Sequence, residues 1–445
     1  MKIVRFDYFK GVKIGSFRRN SVSEGVVELP APKRVCISVK QSKGVLPTTI
    51  VSVGDAVKEG TVIAKSNQAF VHSSISGKVV EISKQPSIYG GVCDHIVIEN
   101  NNQNQKEFLP AIAEKDRNPV NVLKRVFEAG IVDADGRPLF LKFLLNQEDK
   151  IKQLVVNCCT DEPYFTNNLF IMNVNPDSVI AGAKYIAQVL KTNRIKFVVL
   201  SKQLKRLKPF MARLSELYPE KNLKKAKDFF FEIAVVPTRY PVGDEKELVS
   251  VLTMKEMGYD QNPKDFGLVM VDVYTLLSVA KAVENGEPET TKVMTVVGAD
   301  GNKTINIKAK VGTYFEDIKN AVRNNSPLPI KRIIAGGVMR GRAVSDLGKA
   351  TTKCIKGIVF LNSKQVRDSK EIACTNCGEC TKVCPRRLLP DEIEKCVMSE
   401  DFESAKKLGV QYCTGCGCCS FVCPSNRHLT QRLNYAKNKI SSREV

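Results

Sequence analysis

The segments CTNCGECTKVCP (374–385) and CTGCGCCSFVCP (413–424) carry one pattern twice: Cys374-x2-Cys377-x2-Cys380-x3-Cys384-Pro385, then Cys413-x2-Cys416-x2-Cys419-x3-Cys423-Pro424. This is the run of a bacterial two-cluster ferredoxin, in which three closely spaced thiolates cap one [4Fe–4S] cube and the fourth ligates the other. The expected sets are Cys374, Cys377, Cys380 and Cys423 for one cluster, and Cys413, Cys416, Cys419 and Cys384 for the other. The two-residue spacers bend the backbone round the cube so that amide N–H groups point at its sulfurs, and each proline ends its loop. Zinc needs only four tetrahedral ligands and does not account for two matching sets. Cys418 and Cys396, outside the pattern, read as buried small hydrophobes.

Ten of the 15 cysteines fall between Cys374 and Cys423. In a chain without a secretory segment such density means metal rather than disulfides. The start, MKIVRFDYFKGVKIGSF, has no apolar h-region, and no apolar run reaches membrane-spanning length, so a cytoplasmic protein without a membrane span is expected. The 445 residues allow several domains at about 150 residues each. The formal charge is +21, with 12 Lys or Arg against 3 acids between Lys191 and Asp228. That segment reads as a helix with a solvated basic face. No aromatic residues are interleaved to stack bases, which argues against nucleic acid and leaves an anionic membrane surface or an acidic protein as partners for the charge.

Upstream, residues 50–82 (IVSVGDAVKEGTVIAKSNQAFVHSSISGKVVEI) hold short β-runs between turns and predict a small sandwich like that of lipoyl and biotinyl carrier domains. Asn67-Gln68-Ala69-Phe70 stands where a carrier lysine would be, so the module reads as structural, with His72 packed inside it. From about 118 to 285, LVVNCC, FVVL, EIAVV and FGLVMVDV alternate with amphipathic segments, the pattern of a mostly parallel sheet whose ligands sit at strand carboxyl ends. Next, KVMTVVGADGNKTINIKAKVGTYFEDIKNAV predicts a hairpin through Asp300-Gly301 and a helix, a β-grasp-like unit.

Taken in order, VHSSISGKVV, NCCTDEPY, RYPVGDEKELV, KRIIAGGVMRG and the paired Cys motifs resemble the RnfC family of the Rnf electron-transport complex. That family is similar in turn to the NADH-oxidising flavin subunit of complex I. The resemblance implies a multidomain α/β chain: a barrel-sandwich hybrid (1–115), a Rossmann-type flavin- and NADH-binding-like domain (116–285), a β-grasp, SLBB-like domain (286–345) and a helical two-[4Fe–4S] ferredoxin-type domain (346–445). It implies FMN and NADH, with Asn157, Glu162, Gly243, Glu245 and Lys246 at positions that contact flavin or dinucleotide in relatives. It also implies protein redox partners and a place beside the membrane through a complex.

The family's glycine-rich loop corresponds here to Gly130-Ile-Val-Asp133-Ala-Asp135-Gly-Arg137-Pro138-Leu-Phe140, where Asp133 and Asp135 replace expected glycines. Carboxylates there oppose phosphate, and Arg137 with Pro138 adds bulk and removes a donor. Cys158 and Cys159 close a strand and read either as a redox-active pair or as buried packing residues. A branch of the family serves proline reductase, and the altered loop suits it. Three functions follow: a two-cluster electron relay to a partner reductase, an FMN-dependent NADH-oxidising Rnf subunit, or a protein whose clusters are structural staples.

Overall fold

Strand Gln153–Asn157 (QLVVN) has its three central residues fully buried, as expected of a strand covered on both faces. It lies inside a five-stranded, wholly parallel sheet in the order Lys2–Arg5, Phe230–Val236, Arg194–Leu200, Gln153–Asn157, Leu268–Asp272. In this computed structural model the described residues are 2–14, 25–42, 44, 46–88, 90–134, 136–144, 150–160, 162–219, 229–298, 304–322, 329–366 and 370–443.

Alternate side chains feed two apolar layers. On one face Leu154, Val156, Phe197 and Ile233 pack with helices Asn167–Val174, Pro176–Val189 and Val273–Asn285. On the other, Val155, Val198, Ala234 and Met270 meet Tyr8 and Leu248 of helix Glu245–Thr253. The chain runs outward from Gln153–Asn157 through the next two strands, then returns to place Leu268–Asp272 on the opposite side. The order therefore reverses between Asn157 and Asp272, which are register partners, and such a switch point opens a crevice at the strand ends.

The expected sandwich is present. Strands Arg34–Ser38, Val92–Asn100, Gly77–Pro86 and Ala56–Val57 face Thr48–Thr49, Val62–Lys65 and Phe70–His72 across a core that includes Ile37, Ile63, Ile96 and Ile98. Its Asn67–Phe70 turn is a wedge: the Phe70 ring meets the edge of Phe127 on helix Pro119–Glu128, 4.9 Å between centroids.

The segment before residue 30 serves other sheets. Lys2–Arg5 edges the parallel sheet, and Val26–Glu28 pairs with Thr304–Lys310. Runs of three or four residues carry β-propensity but do not name their partner sheet, which is why sequence groups them with the sandwich. The hairpin Thr291–Val297 with Thr304–Lys310 and helix Phe315–Val322 form as expected, though its Asp300-Gly301 turn lies outside the described residues. That hairpin belongs to a six-stranded mixed sheet with Ile330–Ala335, Arg342–Val344 and Gly357–Asn362, which extends beyond residue 345. The basic segment is a turn at Leu204–Leu207 and a helix at Lys208–Leu217, and Lys224 with Lys225 lies outside the described residues. The Cys-rich end packs helices Pro390–Met398, Phe402–Lys407 and Leu429–Arg443 round Ile393, Phe402, Val410 and Leu433.

Candidate functional site

Two polar side chains face each other across the switch point. The Asn157 amide donates to the Gly243 carbonyl at 2.8 Å, drawing the YPVGDEK segment over the strand ends. Asp272 caps helix Val273–Asn285, accepting from the Thr275 N–H at 2.8 Å and hydroxyl at 2.6 Å. Burial works against its charge, but Lys356, Lys292 and Thr275 outweigh it and hold the carboxyl below its ordinary range. Beside them the Lys142 ammonium stands 3.0 Å from Asp133 and 3.3 Å from Glu245.

The remaining expected contacts point elsewhere. The Glu162 carboxylate accepts the N–H groups of Met339 and Arg340, each at 3.1 Å, and so clasps the turn after strand Ile330–Ala335. Lys246 reaches the carbonyls of Gly258 and Tyr259, and burial, then Arg386 and Lys437, lowers its pKa. Cys158 and Cys159 are buried, with thiols against the carbonyls of Val156 and Val198. Burial, with Asp272 nearby, pushes the Cys158 thiol well above its ordinary value, the reverse of an activated nucleophile.

The altered loop is folded on itself. Asp133 is buried; its carboxylate accepts the Arg137 N–H at 2.8 Å and pairs with Lys142, so its charge is compensated rather than set against a phosphate. Asp135 lies outside the described residues. Most of the loop's described N–H groups are spent internally: Gly130 on Phe127, Ile131 on Val126, Asp133 on Arg137, Gly136 on Asp133 and Leu139 on Ile131. Val132 donates to the buried Glu289 carboxylate at 3.0 Å, and from below buried Lys353 holds the Gly130 carbonyl at 2.7 Å. A phosphate cradle needs free N–H donors, and these residues do not present one.

The thiols of the C-terminal unit gather differently. Cys374, Cys377, Cys380 and Cys423 line one small cavity; Cys384, Cys413, Cys416 and Cys419, with the extra thiol Cys418, line another. Among the described residues no three His, Cys, Asp or Glu side chains close on a single ion. A four-iron cube holds its thiolates around a body of eight atoms, so it needs an open cavity rather than a point of convergence. Both loops aim backbone N–H groups at sulfur, Asn376 at Cys374 and Gly415 at Cys413, each at 3.4 Å. Burial pushes the free thiols of Cys384 and Cys419 up to about 11 and about 12, so thiolates there need a compensating metal charge. These residues fit the clusters. Cys418 is fully buried beside Tyr240 and Val12, in the packing role expected of it.

Sequence reasoning did not single out Tyr240 and Arg340, though both lie inside quoted motifs. The Arg340 guanidinium donates to the Tyr240 oxygen at 3.1 Å and to Asp244 at 2.8 Å, and the Tyr240 hydroxyl donates to the Cys416 carbonyl. Nothing in the spacing marks them, because their partners are more than ninety residues away.

A doubly wound sheet with polar groups at its switch point, joined to a sandwich and a thiol-rich helical unit, defines a multidomain α/β protein. The sequence pattern of the Nuo51 FMN-binding domain matches residues 126–281, and that of the RnfC barrel sandwich hybrid domain matches residues 6–103. The C component of the proton-translocating ferredoxin:NAD(+) oxidoreductase complex of Clostridium ljungdahlii is 31% identical over 405 residues, covering 89% of this chain and 86% of that protein. The C component of the ion-translocating oxidoreductase complex of Rhodobacter capsulatus is 29% identical over 435 residues, 96% of this chain and 82% of that one. The chain belongs to the RnfC family. Its fold is shared with a chain of the NAD+-reducing [NiFe]-hydrogenase in the H2-reduced state, with a TM-score of 0.51 and 14% identity over 73% of this chain and 61% of that one. Among the described residues no helix is long and apolar enough to cross a membrane.

Proposed function

We propose that this chain is an electron-transfer subunit of an oxidoreductase complex, passing single electrons through two [4Fe–4S] clusters to a protein partner. The observation that carries the reading is the division of the eight motif thiols between two cavities, each drawing its fourth motif cysteine from the other motif. Bound there, the clusters supply one-electron chemistry. The chain's own part is to hold them close together, to direct N–H groups at their sulfurs and to leave Cys374 and Cys377 exposed at one end, where a partner can approach. Anaerobically purified protein should carry about eight irons. Cys384→Ser should abolish the spectral signature of one cluster and Cys374→Ser that of the other. Loss of the same signature in both variants, or zinc in place of iron, overturns the reading.

The second reading, an FMN-dependent NADH-oxidising member of a membrane-associated Rnf complex, is favoured by the Asn157–Gly243 pairing and by Lys142 at the switch point. Against it stand the N–H donors consumed within the loop. FMN and NADH titrated into the wild type decide: tight binding with rapid NADH-driven cluster reduction supports the second reading, and clusters reducible only by a low-potential donor support the first. A proline reductase as the acceptor, in the cytoplasm, rests on the altered loop and on Cys158-Cys159, which we take as packing residues. Activity of the pair with and without this chain tests that partner.

A further inference from the structure

The Glu162 loop, the turn around Met339 and Arg340, the Tyr240–Asp244 segment and the second Cys motif are joined side chain to backbone. Glu162 holds the N–H groups of Met339 and Arg340. Arg340 holds Tyr240 and Asp244, and its guanidinium also lies over the Tyr240 ring, 5.9 Å from the centroid. The Tyr240 hydroxyl ends the chain of contacts at the carbonyl of Cys416, a ligand of the second set. The fit is close on both sides of that ligand. At Gly417, which has φ +85°, a Cβ would stand 2.8 Å from the Met339 carbonyl oxygen. The matching ligand of the first motif, Cys377, is exposed.

We propose that Arg340 and Tyr240 are positioning residues that raise the reduction potential of the Cys384/Cys413/Cys416/Cys419 cluster above that of the other, so that an electron shared between the two rests beside the switch point of the sheet. The inference rests on the two-cluster reading above. Adding one electron to a cluster makes it more negative, with no bond made or broken and no proton moved. A hydroxyl donating to the carbonyl of a ligating residue withdraws negative charge from the ligand's surroundings, and a guanidinium behind that hydroxyl polarises it further. Asp244 partly balances Arg340, so removing the guanidinium also leaves a carboxylate facing the cluster, and both changes act in the same direction. Lys437, which donates to the Cys413 carbonyl, Arg386 near Glu247, and Lys246 beside both are further cations on this side; all are retained in the variants below and set a common background.

The test is an anaerobic redox titration of the full chain followed by electron paramagnetic resonance, with Tyr240→Phe, Arg340→Gln and Arg340→Lys beside the wild type. Tyr240→Phe keeps the ring and removes only the donor. It should shift the electron distribution about threefold to tenfold towards the Cys374 cluster, about 30 to 59 mV for a one-electron couple. Arg340→Gln should do at least as much, and Arg340→Lys should recover part of it. The Cys374 cluster should keep its potential throughout. Two wild-type clusters whose potentials stay fixed, or move together, in Tyr240→Phe and Arg340→Gln would overturn the relay alone. A wild type without two four-iron signals would overturn the cluster reading, and the relay with it.

Discussion

His72 is a residue whose surroundings decide its chemistry. It sits fully buried between the sandwich and helix Pro119–Glu128, bonded to the Glu128 backbone, with Nδ1 left without a partner. Burial, reinforced by Lys353, lowers its pKa to about 3. The unfolded chain takes up a proton near pH 6.5 while the folded chain refuses it, so stability holds above about 6.5 and falls as pH drops towards 3. The loss should approach about 1.4 kcal/mol per pH unit within that window. In His72→Gln the dependence on pH between 6 and 4 should be shallower, as read from urea midpoints in both proteins; parallel profiles would show that His72 is protonated in the fold. Sequence alone points to a packed His72, because one imidazole without Cys, Asp or Glu nearby makes no metal site. It cannot show Lys353, which arrives from 281 positions further along the chain.

At the scale of single elements, the glycine-loop segment changes the mechanism expected of its aspartates. Two aspartates in place of glycines suggest repulsion of phosphate, yet Asp133 is paired with Lys142 and bonded to the Arg137 N–H. Most of the loop's described N–H donors are instead already bonded within the protein. Asp133→Gly should therefore free the Arg137 N–H, leave Lys142 with Glu245 and the Met270 carbonyl but without its Asp133 partner, and raise FMN affinity on the order of tenfold, since a recovered hydrogen bond to an anion is worth about 1.4 kcal/mol or more. Flavin fluorescence quenching in the two proteins measures it, and equal affinities would mean that the loop refolds on other acceptors. The helices behind the switch point are set by close approach: a Cβ at Gly182 would lie 2.1 Å from the Leu276 carbonyl oxygen of helix Val273–Asn285. Gly182→Ala should push that helix, and with it the Asp272 cap, away from the sheet at a cost of about 1–3 kcal/mol in unfolding free energy, measured by urea denaturation. The helix periodicity is legible in the sequence; the reason for a glycine in mid-helix is not, because it depends on a carbonyl in another element.

For the whole molecule, the alternation of strands and helices and the repeated Cys spacing are legible because each is a local pattern, while the joints between units are not. The Cys-rich unit has a small apolar core, with the thiols of Cys384 and Cys413 packed against it, so iron should contribute much of its stability. It meets the parallel-sheet unit through an apolar cluster, where Cys416 and Cys418 pack with Val12 and Tyr240, and through polar links: Tyr240 to the Cys416 carbonyl, Arg386 to the Met257 carbonyl, and Arg386 to Glu247 at 3.6 Å. Glu247 is fully buried against the Tyr8 hydroxyl, and burial already raises its pKa, so a displaced Arg386 would leave an unfavourable charge beneath the sheet. Removal of iron by a chelator under reducing conditions should thus unfold residues 370–443 first and weaken helix Glu245–Thr253 next. The strands Gln153–Asn157 and Arg194–Leu200 should keep more of their protection, since the layer on their other face, with Leu154, Val156 and Phe197, draws on neither link. Hydrogen exchange with and without iron resolves the order peptide by peptide. One cooperative loss of protection across both units would show that the joint, with its small apolar cluster and polar links, couples them into one folding unit, and unchanged exchange in 370–443 would show that the helical core stands without its clusters.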